Sequence, residues 1–544
     1  MGNRTVPETT LRFVVQIWGE LAPRVHIRRL RLPAECTPDR GKKLEPRSTP
    51  FDKLRPGSGT RMNFCPVQFC FRVEAVLIRA LRVLVATCAL AVLCLAQTPE
   101  EKTAKYMESV RKQPELLLAF LQEMPKGGDL HIHLSGAIYA ESLIDWASEN
   151  ALCVERSSSK LIHAACDSCE LYQPKPSVRC AYQDHVLYNQ LIDAWSMRNW
   201  DHNEESGHDH FFASFDKFGP ATDKHTGEAF AEVAARAAED HLQYVEVMHT
   251  ADGREAANLG SKIGWDDDFV RFREKLLAGG MSEVVAGVRT QTDEDEAREK
   301  EVLRCGTARA EAGCAVTMRY LYQVLRGLPR EQVFAQIVLG FELAKADSRF
   351  VGFNLVMPED WYVPMHDFDL HMRMIEALRK FYPAVHISLH ADELAMGLVP
   401  PEGLRFHIRE SVERAGAERI GHGVAVMNED HPIELLKEMA AKEVLVEICL
   451  TSNDVILGVS GDRHPLPIYL KYGVPVALAT DDEGVSRTDI THEYLRAALD
   501  YGLTYADLKR MARASLEHSF MEVKERVRVQ QKMEEAFAEF EKKY

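Results

Sequence analysis

What this 544-residue chain lacks narrows it first. It has no internal repeat and no low-complexity tract. Hydrophobic residues at 46% and charged residues at 27% exclude a disordered, collagenous or disulfide-knot protein. No glycine-rich loop followed by Lys-Ser/Thr occurs, so nucleoside-triphosphate chemistry has no phosphate cradle. No apolar run reaches the roughly 18–20 residues that a membrane-spanning helix needs. Basic excess is also missing from most of the chain. Residues 1–96 hold 16 Lys+Arg against 7 Asp+Glu, whereas the remainder holds 50 against 75. A body that acidic argues against tracking phosphates along a nucleic acid.

The apolar run that is present, VLVATCALAVLCL at 83–95, follows Arg72, Arg79 and Arg82 and ends at the small residue Ala96. A cationic flank, a short apolar middle and a small residue are the three parts of a secretory signal. The expectation is therefore a signal peptide over 62–96, with Met62 as the start, residues 1–61 as a non-native upstream extension or disordered, and 97–544 as an exported, secreted or periplasmic protein with no integral span once the signal is removed. Seven of the 12 cysteines lie beyond Ala96. Cys153, Cys166, Cys169, Cys180, Cys305 and Cys314 are disulfide candidates in such a compartment, with connectivity open. Cys449, in an apolar run, reads as a buried thiol. Cys166-x-x-Cys169 lacks the second pair that a zinc ribbon needs.

From about residue 100, short apolar, β-branched runs alternate with amphipathic stretches. Eight candidate strands are 129–133, 244–249, 315–320, 350–355, 385–390, 418–421, 444–449 and 475–480. LLKEMAAKE (435–443) and DLKRMARASLEHSF (507–520) carry the i, i+3, i+4 spacing of helices. Eight strands alternating with helices predict an α/β fold, a closed (β/α)8 TIM barrel. The long first gap requires an inserted helical lobe at about 140–240. VVAGV (284–288) is a ninth strand candidate.

Chemistry gathers at the predicted strand ends. His131 and His133, two apart on a strand, share one face. His390 closes VHISLH, His422 closes ERIGHG, and Asp481 and Asp482 close VPVALATDD. In a barrel such ends converge on one mouth, and three imidazoles with one carboxylate suit Zn²⁺. Glu393, three residues after His390, is free for proton transfer. Gly421 and Gly423 flank His422, permitting close approach and leaving its ring open in the mouth. Asp482 offers a second acceptor for a substrate N–H. His208-Asp209-His210 lacks a preceding strand and reads as lobe packing, as do Trp195, Trp200 and an Arg198 ion pair; Asp266-Asp267-Asp268 reads as a solvated helix start.

GDLHIHLSGA, LHADE, ERIGHG, EICLTSND and ATDDEG, in that order over about 125–525, resemble the motifs of the adenosine deaminase family within the metal-dependent amidohydrolase superfamily. FFASFDKF (211–218) resembles the family's segment beside the substrate, and export makes the secreted, growth-factor-related and bacterial extracytoplasmic branches the closer match. The resemblance implies one Zn²⁺ per subunit on His131, His133, His390 and Asp481. It implies Glu393 as the acid at purine N1, His422 as the group that orients or deprotonates the attacking water, and Asp482 at N7. His133, Ser135, Met357 and Asp482 then border the substrate. The implied reaction turns adenosine, or a close 6-aminopurine nucleoside, into inosine and ammonia; a homodimer is compatible with it.

Three positions depart from the family pattern. Asp392 stands where the family has glycine, so a positive φ would be strained and an extra carboxylate would raise the pKa of Glu393. Ser135 replaces an aspartate that holds the ribose. Met357 follows the fourth strand where glycine is frequent, and its backbone N–H is left to meet N3. The alternatives are another amidohydrolase reaction on the same barrel, or a catalytically weak nucleoside-binding or extracellular signalling protein because of Asp392. A cytidine or tRNA-type zinc deaminase is excluded: His202-Asn203-Glu204 is the single His-x-Glu, and no Pro-Cys-x-x-Cys follows it.

Overall fold

The computed structural model describes residues 97–544, apart from 171, 202 and 204. The expected signal peptide and start site lie outside the described residues.

Strand β1 (Gly127–His133) is followed by two short strands, β2 (Cys153–Glu155) and β3 (Lys160–Ile162), and then by β4 (Leu242–His249), β5 (Thr317–Leu325) and β6 (Phe350–Val356). Next come β7 (His386–Ala391), β8 (Arg419–His422), β9 (Leu445–Ile448) and β10 (Val476–Leu478). One eight-stranded sheet runs β1-β4-β5-β6-β7-β8-β9-β10, and its pairings are parallel. It closes on itself just past β10. There Asp481 N–H donates to the His131 carbonyl (2.9 Å) and His133 N–H to the Asp481 carbonyl (3.0 Å). The expected (β/α)8 barrel is the fold.

The barrel strands are short and largely buried on both faces, as a parallel sheet covered by helices requires. The helix Tyr505–Glu517 shows how the cover is built. Thr504 and Asp507 form a capping box at its start, and Leu508, Met511, Ala512, Ser515 and Leu516 bury one face. Burial of a leucine or methionine side chain there contributes about 1.5–3 kcal/mol. The helix sits so close to β1 that a Cβ on Gly127 (φ +74°) would lie 2.1 Å from the Ala512 carbonyl oxygen. Only glycine meets both conditions.

Between β1 and β4 lies an insertion of helices, with Ala140–Glu149, His185–Ala194 and Gly207–Phe218 among them. It is not purely helical. β2 and β3 pair as an antiparallel hairpin, tied by disulfides Cys153–Cys166 and Cys169–Cys180. Trp195 is buried there with its indole N–H on the Ser159 carbonyl, and Arg198 pairs with Asp193 at 2.5 Å. His208 pairs with Asp360 at 2.9 Å, so the His-x-His of the lobe packs rather than binds metal.

VVAGV (284–288) is not a strand. It lies in the helix Ser282–Val302, where Val284, Val288 and Thr292 recur every four residues on the buried face. Cys305–Cys314 closes the turn beyond it, and Cys449 is a buried free thiol. Asp268 caps the helix Phe269–Leu276, but Asp266 is not simply solvated: Arg271 and Lys275 hold it. No helix among the described residues is long and apolar enough to cross a membrane.

Candidate active site

The C-terminal ends of β1, β7 and β10 bring His131, His133, His390 and Asp481 together, all buried. His131 Nε2 lies 3.1 Å from His390 Nε2 and 3.4 Å from Asp481 Oδ1. His133 Nε2 lies 3.2 Å from each of the same two atoms. A tetrahedron with zinc–ligand bonds of about 2.0–2.1 Å has edges of about 3.3–3.4 Å. Four donors at that spacing fit one metal ion.

The atoms behind the donors point the same way. Glu447 Oε2 takes the His131 Nδ1 proton at 2.6 Å, and Asn354 Oδ1 takes that of His390 Nδ1 at 2.9 Å. Both rings therefore turn an Nε2 lone pair inward. Ser452 Oγ donates to the outer oxygen of Asp481 at 2.6 Å. Gln323 lies 3.1 Å from His133 Nδ1. Burial drives His133 and His390 below their ordinary pKa, the latter far below and with help from neighbouring imidazoles. Burial also opposes ionisation of Asp481, but the bonds to His131 and His133 hold its pKa well below the carboxylate range. On His131 burial is outweighed by Asp481 and Glu447, which lift it to about 10.

Beside this cluster stand Glu393, His422 and Asp482, each under 9% exposed. Glu393 Oε1 lies 3.7 Å from His422 Nε2. Burial, then the Asp481 and Glu359 carboxylates, push Glu393 well above its ordinary pKa. Burial and Asp481 do the same to Asp482. Burial thus disfavours the ionised form of both carboxyls. Asp482 has this place because residue 136 is glycine: a Cβ there would lie 1.6 Å from Asp482 Oδ1.

The His422 ring is fully buried rather than open in the mouth, and burial drives its pKa down to about 3. A chain of hydrogen bonds assigns its tautomer. Leu466 N–H donates to His464 Nδ1, so His464 Nε2 donates to Asn453 Oδ1. The Asn453 amide then donates to His422 Nδ1 at 3.0 Å. The neutral ring is left with its N–H on Nε2, buried and without a partner. Gly421 permits close approach, but to His131: a Cβ would lie 2.5 Å from that ring.

Ser135 lies partly exposed in the one-turn helix Leu134–Ala137, directly after β1. Met357 follows β6 at φ +88°. Asp392 does adopt a positive φ, +59°, as do His422 (+65°) and Asp481 (+63°), so three of the strand ends that build the site carry left-handed backbone. The expected effect of Asp392 on Glu393 is corrected. Its carboxyl points elsewhere, among Glu359, Glu429 and His407, and the groups that shift Glu393 do not include it.

Sequence reasoning passed over Glu447, Asn354, Arg326, Glu359, Asn453 and His464. Glu447 and Asn354 did carry a signal: each is a polar residue inside an apolar strand, where burial requires a partner.

A parallel barrel whose strand ends gather three imidazoles and a carboxylate, with further buried carboxyls alongside, could hold a metal ion at its mouth. Residues 282–536 match the adenosine deaminase family model. Adenosine deaminase of Escherichia coli (strain SMS-3-5 / SECEC) is 32% identical over 206 residues, 38% of this chain and 51% of that protein. Adenosine deaminase of Pectobacterium atrosepticum is 36% identical over 149 residues, 27% and 41% of the two chains. The chain thus spans about half the length, or less, of these curated relatives. The crystal structure of an adenine deaminase from Arthrobacter aurescens shares the fold at TM-score 0.50 and 17% identity, over 76% of this chain and 98% of that one. Over residues 282–536 the chain is similar to the adenosine deaminase family.

Proposed function

We propose that this protein hydrolyses the 6-amino group of adenosine, or of a close 6-aminopurine nucleoside, giving inosine and ammonia, with one Zn²⁺ held by His131, His133, His390 and Asp481. The observation that carries the reading is the four-donor cluster with the buried carboxyls of Glu393 and Asp482 beside it. Bound there, zinc supplies Lewis acidity that makes water a nucleophile at neutral pH.

The chain's own groups do the rest. Glu393 gives its proton to N1, so the ring accepts the electron pair at C6 without building negative charge. His422 points its Nε2 hydrogen at the attacking oxygen and steadies it. Protonated Asp482 donates to N7. The C6–O bond forms, the C6–N bond breaks, and the nitrogen leaves as ammonia after taking one proton of the attacking water, whose other proton restores Glu393. The Met357 backbone N–H serves N3, and Ser135 borders the ribose.

The test is to purify the protein, measure its zinc and follow the ultraviolet change with adenosine. Zinc without turnover of any aminopurine would favour a nucleoside binder. Turnover of another amine or amide would favour a different amidohydrolase reaction. Glu393→Gln is expected to lower kcat by about 10²–10⁴ while keeping zinc; a near-normal rate would remove Glu393 from the reaction.

We also propose export. Three disulfides among the described residues suit an oxidising compartment, in keeping with the 72–96 pattern. N-terminal sequencing of the secreted product tests this, and residues 1–61 found attached would refute a start at Met62.

A further inference from the structure

The turn that delivers Glu393 is held at each successive peptide group. The His390 carbonyl accepts from Arg326 Nη1 at 3.2 Å, and the Ala391 carbonyl accepts from Gly423 N–H at 3.1 Å. The Asp392 carbonyl accepts from Val424 N–H at 2.8 Å. The next two amides share one anion: Asp392 N–H donates to Glu359 Oε1 at 3.1 Å, and Glu393 N–H to Glu359 Oε2 at 2.8 Å. Consecutive N–H groups converge on a single carboxylate when the backbone makes a nest, which needs a residue near the left-handed region. Asp392 at φ +59° is that residue. It is not a glycine, so the conformation is one that its own Cβ resists.

We infer that Glu359 is a positioning residue: its carboxylate, seated in the nest of Asp392 and Glu393 amides, imposes the turn that aims Glu393 beside His422 and the four-donor cluster. This inference rests on the proposed role of Glu393 as the acid. Glu359 follows β6, is 1% exposed and does not reach the reacting atoms itself. His407 Nδ1 donates to it at 2.5 Å, and the Arg326 guanidinium lies close by. Burial alone would neutralise the carboxyl; His407, Arg326 and the two amides win and hold it ionised, at about 2. Arg326 braces both sides, since its Nε also donates to the Met357 carbonyl at 3.1 Å. The β6 and β7 turns are thereby tied into one unit.

Glu359→Gln tests this. The variant keeps the side-chain shape but loses the charge and sets an NH2 against an N–H. Expected is a fall in kcat of at least thirtyfold, with KM changed less than threefold and zinc content unchanged. A side chain that served only stability would lower the melting temperature and leave kcat per folded molecule alone. A kcat within twofold of wild type overturns the inference.

A crystal structure of the variant gives a readout that does not depend on turnover. Asp392 moving to negative φ with Glu393 displaced supports the inference, and an unchanged turn overturns it. Wild-type protein inert on every aminopurine would defeat the functional reading alone, because the crystal structure still decides the turn. Should Glu359→Gln fail to fold, His407→Gln takes its place. It removes the third donor and leaves both amides their acceptor. A kcat several-fold lower at unchanged KM is expected, and no change overturns the inference.

Discussion

Asp392 shows how one side chain can be costly without touching the chemistry beside it. It stands where the resemblance leads one to expect glycine, at φ +59°, with its buried carboxyl against that of Glu429. Burial, with Glu429 and Glu359 nearby, pushes its pKa far up. Strain of this kind costs on the order of 1–3 kcal/mol, and crowding of buried carboxyls adds to it. Asp392→Gly removes both and opens a small cavity, so a net gain of about 1–3 kcal/mol is expected. Thermal unfolding would register it as a melting point raised by a few degrees. Turnover should change less than about threefold, since the carboxyl faces away from Glu393. A lower melting point, or a tenfold change in kcat, would show that Asp392 does more than occupy the turn. The positive φ was legible from LHADE set against the family motif. The direction of the side chain was not, because it depends on Glu359, Glu429 and His407, which sequence distance hides.

At the scale of elements, the barrel strands were readable because each apolar, β-branched run stops at a polar residue that faces the mouth. The same rule misreads VVAGV, because a five-residue apolar run has no period of its own. The buried face that settles it, Val284, Val288 and Thr292, extends past the run into a charged stretch. The hairpin β2–β3 was missed for the opposite reason: CVE and KLI are three residues each and too short to show alternation. Such a hairpin is marginal alone, and here covalent links hold it. Cys153–Cys166 and Cys169–Cys180 span 13 and 11 residues, and loops of that size are stabilised by about 3 kcal/mol each in the chain-entropy account. Replacing Cys169 and Cys180 by serine is expected to loosen the lobe before the barrel. Limited proteolysis should cut within 153–184 at protease levels that spare the wild type, with the barrel fragment intact. Cleavage starting in the barrel would show that the lobe is not the weaker part.

For the whole molecule, the decisive place is the seam. β1 and its last neighbour meet through a short bridge at Ile132 and Asp481, fewer bonds than β4 and β5 share. His131, His133 and Asp481 flank that bridge, while His390 reaches in from β7. An ion bound to these four therefore links the first strand, the last strand and the middle of the sheet. Inside the barrel the linkage continues without metal. Glu447 joins His131 to Arg419 Nε (2.7 Å), and Arg419 reaches Glu246 (2.5 Å), all fully buried. This row is already satisfied by charge pairing, so removing the ion should weaken the barrel without unfolding it. A ligand at a thousand times its Kd adds about 4 kcal/mol to the stability of the state that binds it. Treatment with a chelator such as 1,10-phenanthroline is thus expected to lower the melting temperature by several degrees, to leave far-ultraviolet circular dichroism at room temperature unchanged, and to abolish turnover. Zinc added back should restore both melting temperature and rate with one midpoint. If the rate is lost and the melting temperature does not move, the ion that matters does not sit across the seam, and the four-donor cluster is not where it binds.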